Sequence, residues 1–480
     1  MKLNESLDKN IALLKNLVCG GDIIYFEFTI NKTLATIVYA DCLADKEMIG
    51  KQVISPLSSY DKEISAKGIL KSLTFPEGQI LQNIEKCSQQ IVNGDAVILI
   101  DGLQKAISIA CKKPAARTVA EPPTSSILKG PREGFVENIL TNMNLIRQRL
   151  RSPDLCFDKF TVGKYSQTTV GVVYISSIAN SKIVEMVKSK IEKISIDGVV
   201  DSSYIIKMIS TKKTSLFKQV GTTEKPDILV AKLLEGRIGI VVDGSPIILT
   251  VPFLFVEDFQ SSEDYYINNY RANISRIIRL GAVLFAIYLP AFFVAAQLFH
   301  LQLIPLNFLL TIVGSIKGIP LSPSVEMFFT LFIFETLNEA SIRMPRYVGI
   351  AMSVVGALVL GETAVNAGIV STPTIMIVAL SGICIYTVPD MTETLSVLRL
   401  LFLIIGGSFG GYGIILASVA LLTYLSAFDS FTVPYLSPYS PLILNDLQDG
   451  FTIDFLANTK KRPLSFKSPN KTRKGDIWIK

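Results

Sequence analysis

From residue 280 to residue 428 the chain carries very few charges, whereas residues 1–275 carry Lys, Asp and Glu at frequent intervals. That partition constrains the fold more than any motif, because a soluble average is about a quarter charged. The whole chain of 480 residues is 49% hydrophobic and only 18% charged, with mean hydropathy +0.42. A soluble α/β first half followed by an all-α polytopic membrane half is the expectation. Ile277–Phe299 supplies 23 consecutive residues with Pro290 inside; a span needs about 20. The segment 301–316 is shorter, broken by Pro305, and short enough to be re-entrant. Further apolar runs cover 323–342, 347–361, 369–388 and 398–425, the last long for one span and short for two. Its glycines at 406, 407, 410, 411 and 413 allow close helix packing or an unwound middle. Four crossings are expected, six being the alternative.

The first half contains a repeat. IVNGDAVILIDGLQKAISI (91–109) and LLEGRIGIVVDGSPIILTV (233–251) each have Gly, then six residues, then Asp-Gly, with alternating apolar residues on either side. Asp-Gly between such runs signals a hairpin with a type I′ turn, so Asp101-Gly102 and Asp243-Gly244 are expected to turn equivalent hairpins. TIVYADCLA (36–44) and GVVYISSIA (171–179) extend the match. In SKIVEMVKSKIEKI (181–194), Val184, Val187, Ile191 and Ile194 share a helical face. The expected organisation is a first α/β subdomain over 1–111, a Pro-rich linker and helix over 112–152, a second α/β subdomain over 153–268, a transmembrane helical domain over 269–428, and a basic cytoplasmic tail over 429–480. Residues 457–480 hold eight Lys/Arg against one Asp, which reads as a flank kept near anionic headgroups on the cytoplasmic side. Tyr265, Tyr266 and Tyr270 suit the headgroup zone, and Arg271, Arg276 and Arg279 are read as cytoplasmic anchors. Met1–Asn16 is polar and has no signal-peptide pattern, so the first half is expected to stay cytoplasmic. Its cysteines are expected to be reduced structural thiols.

Acids in the apolar half need a reason, since each costs roughly 3 kcal/mol at the bilayer centre. On a helix from Pro323 to Ile342, Glu335, Glu339 and Arg343 fall at successive four-residue steps with Asn338 beside them, and Glu339 to Arg343 has the favourable ion-pair orientation. This stripe either lines an ion or solute path, couples to a neighbouring subunit, or lies in water on an interfacial helix. Glu362 and Asn366 form a similar pair of candidates. The sequence lacks a phosphate-binding loop, a zinc-protease motif and a recognisable triad around its single histidine, His300. No catalytic, cofactor-binding or metal-binding role is therefore assigned, and an enzyme is not expected.

Several stretches together resemble one family. PREGFVENILTNMNLIRQRLRSP (131–153), KLLEGRIGIVVDGSPIILTVPFLFVEDFQSSEDYY (232–266), EASIRMPRYVGIAMSVVGALVLGETAVNAGIVS (339–371), VPYLSPYSPL (433–442) and KKRPLSF (460–466) are similar to the A subunits of GerA-family spore germinant receptors. The resemblance implies a subunit in the spore inner membrane that takes part in germinant-triggered germination. It implies a permease-like B subunit, thought to hold the nutrient, and a lipoprotein C subunit as partners. It also implies homo-oligomers, with a ligand-gated cation channel as the leading activity. A non-conducting scaffold and a stage V sporulation paralogue are the alternatives. The family supplies no site residues.

Overall fold

The computed structural model describes residues 2–73, 78–112, 129–345, 348–349, 359, 361–455 and 458–473. The proline-rich stretch 113–128 and most of the expected span at 347–361 lie outside them. The first half forms two antiparallel five-stranded sheets. One contains β1 (Ile23–Ile30), β2 (Thr33–Ala40), β3 (Gly78–Leu81), β4 (Ala96–Ile100) and β5 (Ala106–Ile109) in the order β1-β2-β4-β5-β3. The other contains β6 (Leu155–Val162), β7 (Thr168–Ile175), β8 (Gly221–Thr223), β9 (Ile238–Val242) and β10 (Ile248–Val251) in the matching order β6-β7-β9-β10-β8. The central strands β4 and β9 are buried at every residue, which explains their continuous apolar runs.

The Asp-Gly turns join β4 to β5 and β9 to β10, but with a geometry other than type I′. Only the glycines take positive φ, +79° at Gly102 and +85° at Gly244. The aspartates are held instead by helices that precede each sheet. Asp101 accepts the Leu7 N–H at 3.0 Å, and Asp243 accepts the Ile139 N–H at 3.1 Å. Each Asp therefore satisfies a free donor at the start of a helix, Leu7–Leu17 in one unit and Ile139–Arg149 in the other. Buried Asn10 and Asn142 repeat the match: Asn10 bonds both backbone groups of Asn4, and Asn142 both of Val136. The duplicated unit is thus a helix plus a sheet, and it begins at the amino terminus.

The two units share a core in which Leu14, Ile91, Met143, Ile146, Leu229 and Leu233 are all buried. Arg147, fully buried, donates to both oxygens of buried Asp22 at 2.6 and 2.8 Å. Beside it Cys19 and Cys156 are joined as a disulfide, correcting the expectation of reduced thiols at these two positions. Cys42, Cys87 and Cys111 are free and buried. Burial pushes each of their thiols up to about 12, with Asp22 adding to the shift at Cys42 and Asp95 to that at Cys111.

In the second half, the entry helix Asn269–Phe299 packs against Thr372–Ile385 and against the long glycine-rich helix Thr392–Ser426. Gly406 permits the close approach: a Cβ there would lie 2.9 Å from the Ala291 carbonyl oxygen. At Gly410 the helix breaks, with φ 64° and ψ −154°, a region open essentially to glycine alone. Among the described residues two helices are long and apolar enough to cross a membrane, Asn269–Phe299 and Pro389–Ser426. Only 44% and 33% of their most apolar stretches are buried. Phe285, Phe292, Ile404, Phe409 and Ile415 point outward, a surface suited to lipid. Leu306–Ile316 and Thr372–Ile385 are apolar but shorter. Residues 429–473 return to the second unit, where Phe431, Val433 and Phe466 enter its core.

Candidate functional site

Helix Pro323–Arg343 starts with proline in its first turn, where a missing N–H costs nothing. Its first acid, Glu326, is buried and accepts from the Ser371 N–H at 2.7 Å and hydroxyl at 2.6 Å. Ser371 is the N-cap of helix Thr372–Ile385, so this carboxylate stabilises the positive end of its neighbour.

Just past the middle of the same helix, Glu335 accepts from Arg399 of the glycine-rich helix. Arg399 also donates to the Ser381 hydroxyl at 3.1 Å, and Ser381 in turn donates to the Ala286 carbonyl at 3.0 Å. Its guanidinium stands 5.8 Å from the Phe334 ring. Four helices thus meet at one cation. Farther along, Glu339 and Arg343 form the expected pair, with Arg343 Nε 2.7 Å from the carboxylate and both side chains exposed. Asn338 is half-buried beside them, and Glu362 and Asn366 are exposed on a separate short helix, Gly361–Asn366. Of the six candidates, Glu335 reaches a buried partner and Glu339 pairs with Arg343 on the surface. Sequence reasoning passed over Arg399, although a cation alone in the run LRLLFLIIGG is its own signal.

A second polar cluster lies where the two halves join. Arg276, at the base of the entry helix and fully buried, donates to Asp264 at 3.1 Å, Asp449 at 2.9 Å and the Gly450 carbonyl at 2.7 Å. Arg279 donates to both oxygens of Asp264, at 2.7 and 3.0 Å, and to the Phe259 carbonyl at 2.9 Å. These two arginines are therefore internal ties rather than headgroup anchors; Arg271 is exposed. Tyr265 and Tyr266, both exposed, donate at 2.7 Å to Asp449 and Asp227. Their hydroxyls bond acidic side chains of the joint while much of each ring stays exposed, as suits an amphipathic side chain. Glu257 bridges Lys232 at 2.9 Å and Arg237 at 2.5 Å. Burial acts to raise its carboxyl, but the two cations outweigh burial and hold it below its ordinary value. Arg462 donates to the Leu234 carbonyl at 2.8 Å, so the carboxyl-terminal segment is tied to the same unit. Among the described residues no group of three or more His, Cys, Asp or Glu could hold a metal ion.

A paired α/β region joined through buried arginine contacts to a helical unit with an apolar outer face is the architecture of a membrane-associated protein. The chain belongs to the family described as Bacillus/Clostridium GerA spore germination protein, whose model matches residues 12–465. It is 35% identical to spore germination protein KA of Bacillus subtilis (strain 168), over 98% of this chain and 89% of that protein. It is 34% identical to spore germination protein GerLA of Bacillus cereus, over 92% and 91%. It is 33% identical to the B. subtilis membrane protein YfkQ, over 98% and 93%. A crystal structure of the N-terminal domain of the A subunit of the Bacillus megaterium spore germinant receptor GerK3 is similar at TM-score 0.42 and 26% identity, covering 53% of this chain and 98% of that one.

Proposed function

We propose that this chain is the A subunit of a nutrient germinant receptor in the spore inner membrane and that copies of it assemble into a ligand-gated cation channel. The α/β pair and the carboxyl-terminal segment face the spore core. A permease-like B subunit holds the nutrient, and a lipoprotein C subunit completes the receptor. The observation that carries the reading is the clamp of Arg276 and Arg279 on Asp264 and Asp449. It ties the entry helix to the entry turns and to the carboxyl-terminal segment, which itself packs into the second α/β unit, so a contact that favours one pose of the α/β pair shifts the helices too. Exposed Glu339 is then the acid best placed to form a cation-attracting ring between copies. Glu335, its charge met by Arg399, ties helices within one copy.

The test is potassium efflux on nutrient addition in spores carrying Glu339→Gln or Glu335→Gln. Glu339→Gln is expected to slow release at unchanged protein level. Normal efflux in both variants would remove these acids from the path. The non-conducting scaffold reading draws support from Glu326 and Glu335, whose burial is explained by structural bonds alone. It predicts that the purified oligomer passes no current in planar bilayers.

A further inference from the structure

At the joint between the halves most buried charges are matched, and Asp258 is not. It lies on the turn Phe255–Phe259 and is 8% exposed. Its Oδ1 is buried without a hydrogen-bond partner among the described residues. Leaving such a group unmatched costs several kcal/mol in an apolar setting, so the site is built for something that brings a proton or a positive charge. The cations that act on it are engaged elsewhere: Lys232 on Glu257 at 2.9 Å, and Lys218 on Asp390 at 3.4 Å.

Asp258 lines a cavity of about 350 Å³, within the size range of small-molecule sites. Asp227, whose Oδ1 is also buried without a partner, shares the lining. Phe253, Ile228, Tyr266 and Ile453 also line it, and the eight acidic residues of the lining outnumber its four cations, Lys218, Lys232, Arg237 and Arg473. A lining that combines an excess of carboxylates with apolar and aromatic side chains matches a carbon skeleton bearing a positive nitrogen, and an aromatic face adds attraction for that cation. A metal ion fits poorly, because the described residues offer no cluster of three or more ligands.

We propose that this cavity binds a small organic cation, with its ammonium group on Asp258 and its carbon chain against Phe253 and Tyr266. The site lies between the second α/β unit, the entry turns and the carboxyl-terminal segment, so an occupant would brace the joint whether or not the protein conducts ions. Without an occupant, burial pushes Asp258 up to about 8, against the pull of Lys218 and Lys232 and with the help of Asp390 and Glu257. Cation binding at neutral pH therefore displaces a proton.

The experiment is calorimetric titration of the full-length protein in lipid nanodiscs with n-butylammonium chloride. Butan-1-ol, sodium butyrate and potassium chloride serve as comparisons. Saturable binding of butylammonium alone is expected, weakened about tenfold or more by Asp258→Asn, as loss of a charged hydrogen-bond partner dictates. Proton release, read from buffers of different ionisation enthalpy, is expected at neutral pH and should vanish a unit or more above pH 8. No saturable heat, equal binding of butanol, full competition by potassium, or unchanged affinity in the Asn variant would each overturn the proposal. If the variant fails to fold, the unaltered protein decides: binding without proton release at neutral pH counts against it.

Discussion

Arg399 and Glu335, 64 residues apart in the chain, meet inside the helical unit as a charged pair in which the arginine side chain is 1% exposed and the glutamate 29%. Removing one partner leaves the other charge without compensation in an apolar surround, a change that costs about 3–5 kcal/mol. Glu335→Ala should lower stability by that order, measured by thermal unfolding in detergent. The double substitution Glu335→Leu with Arg399→Leu should recover most of the loss, since apolar replacement of a buried pair is often neutral. Additive losses in the double variant would show that the two side chains act separately.

The link between Cys19 and Cys156 closes a loop with a sequence separation of 137. A cross-link over so long a loop restricts the unfolded chain by about 4–5 kcal/mol on the chain-entropy model. Alkylation of the native protein without reductant, followed by peptide mass spectrometry, should leave these two cysteines unlabelled and joined. Cys42, Cys87 and Cys111 should label only after unfolding, because burial keeps their thiols protonated. Labelling of Cys19 in the folded protein would contradict the pairing.

Asp258 and Glu257 are neighbours with opposite pH behaviour. Burial raises Asp258 to about 8, so the folded state holds its proton more tightly than the unfolded state does. Its contribution is fully present below the unfolded value near 4 and is lost as pH rises to about 8, at up to about 1.4 kcal/mol per pH unit. Glu257 is held low by Arg237 and Lys232 despite burial, so its contribution is present above the unfolded value and is lost as pH falls through the folded one. Asp258→Asn should flatten the decline in stability between about pH 4 and 8 in denaturant titrations of the full chain. An unchanged slope would show that another group carries it.

Gly410 sits in the broken turn of the glycine-rich helix, and a Cβ there would meet the Phe299 ring at 2.9 Å. Gly410→Ala is expected to destabilise by about 1–3 kcal/mol from backbone strain, before any steric cost. Gly281 in the entry helix has nothing within 4 Å of its Cβ position, so Gly281→Ala should be neutral or stabilising by up to about 1 kcal/mol. Thermal unfolding of both variants side by side checks the contrast. Equal effects would mean that the Gly410 break is not required.

The helix Ser181–Glu192 was legible because Val184, Val187 and Ile191 recur at helical spacing, and all three are buried as that spacing demands. The opening helix Leu7–Leu17 was not recognised as the counterpart of Ile139–Arg149. Its match lies in Asn10 with Asn142, which bond backbone six residues away, and in the long-range use of Asp101 and Asp243; neither kind of hydrogen bond leaves a periodic trace. Arg276 and Arg279 were misread for a similar reason: arginine at the foot of an apolar helix has the same local pattern whether it faces headgroups or Asp264.

By itself, then, the amino-acid order determined what local chemistry determines: two duplicated α/β units, an apolar helical half, the Glu339–Arg343 pair one turn apart, and glycines where the long helix packs and breaks. Tertiary structure alone decided which charges far apart in the chain meet. Asp22 finds Arg147, Glu335 finds Arg399, and the carboxyl-terminal segment carries Phe431 and Phe466 back into the second unit. The energy of a charge in an apolar surround depends on the partner within reach, and that partner is set by packing between elements far apart in the chain.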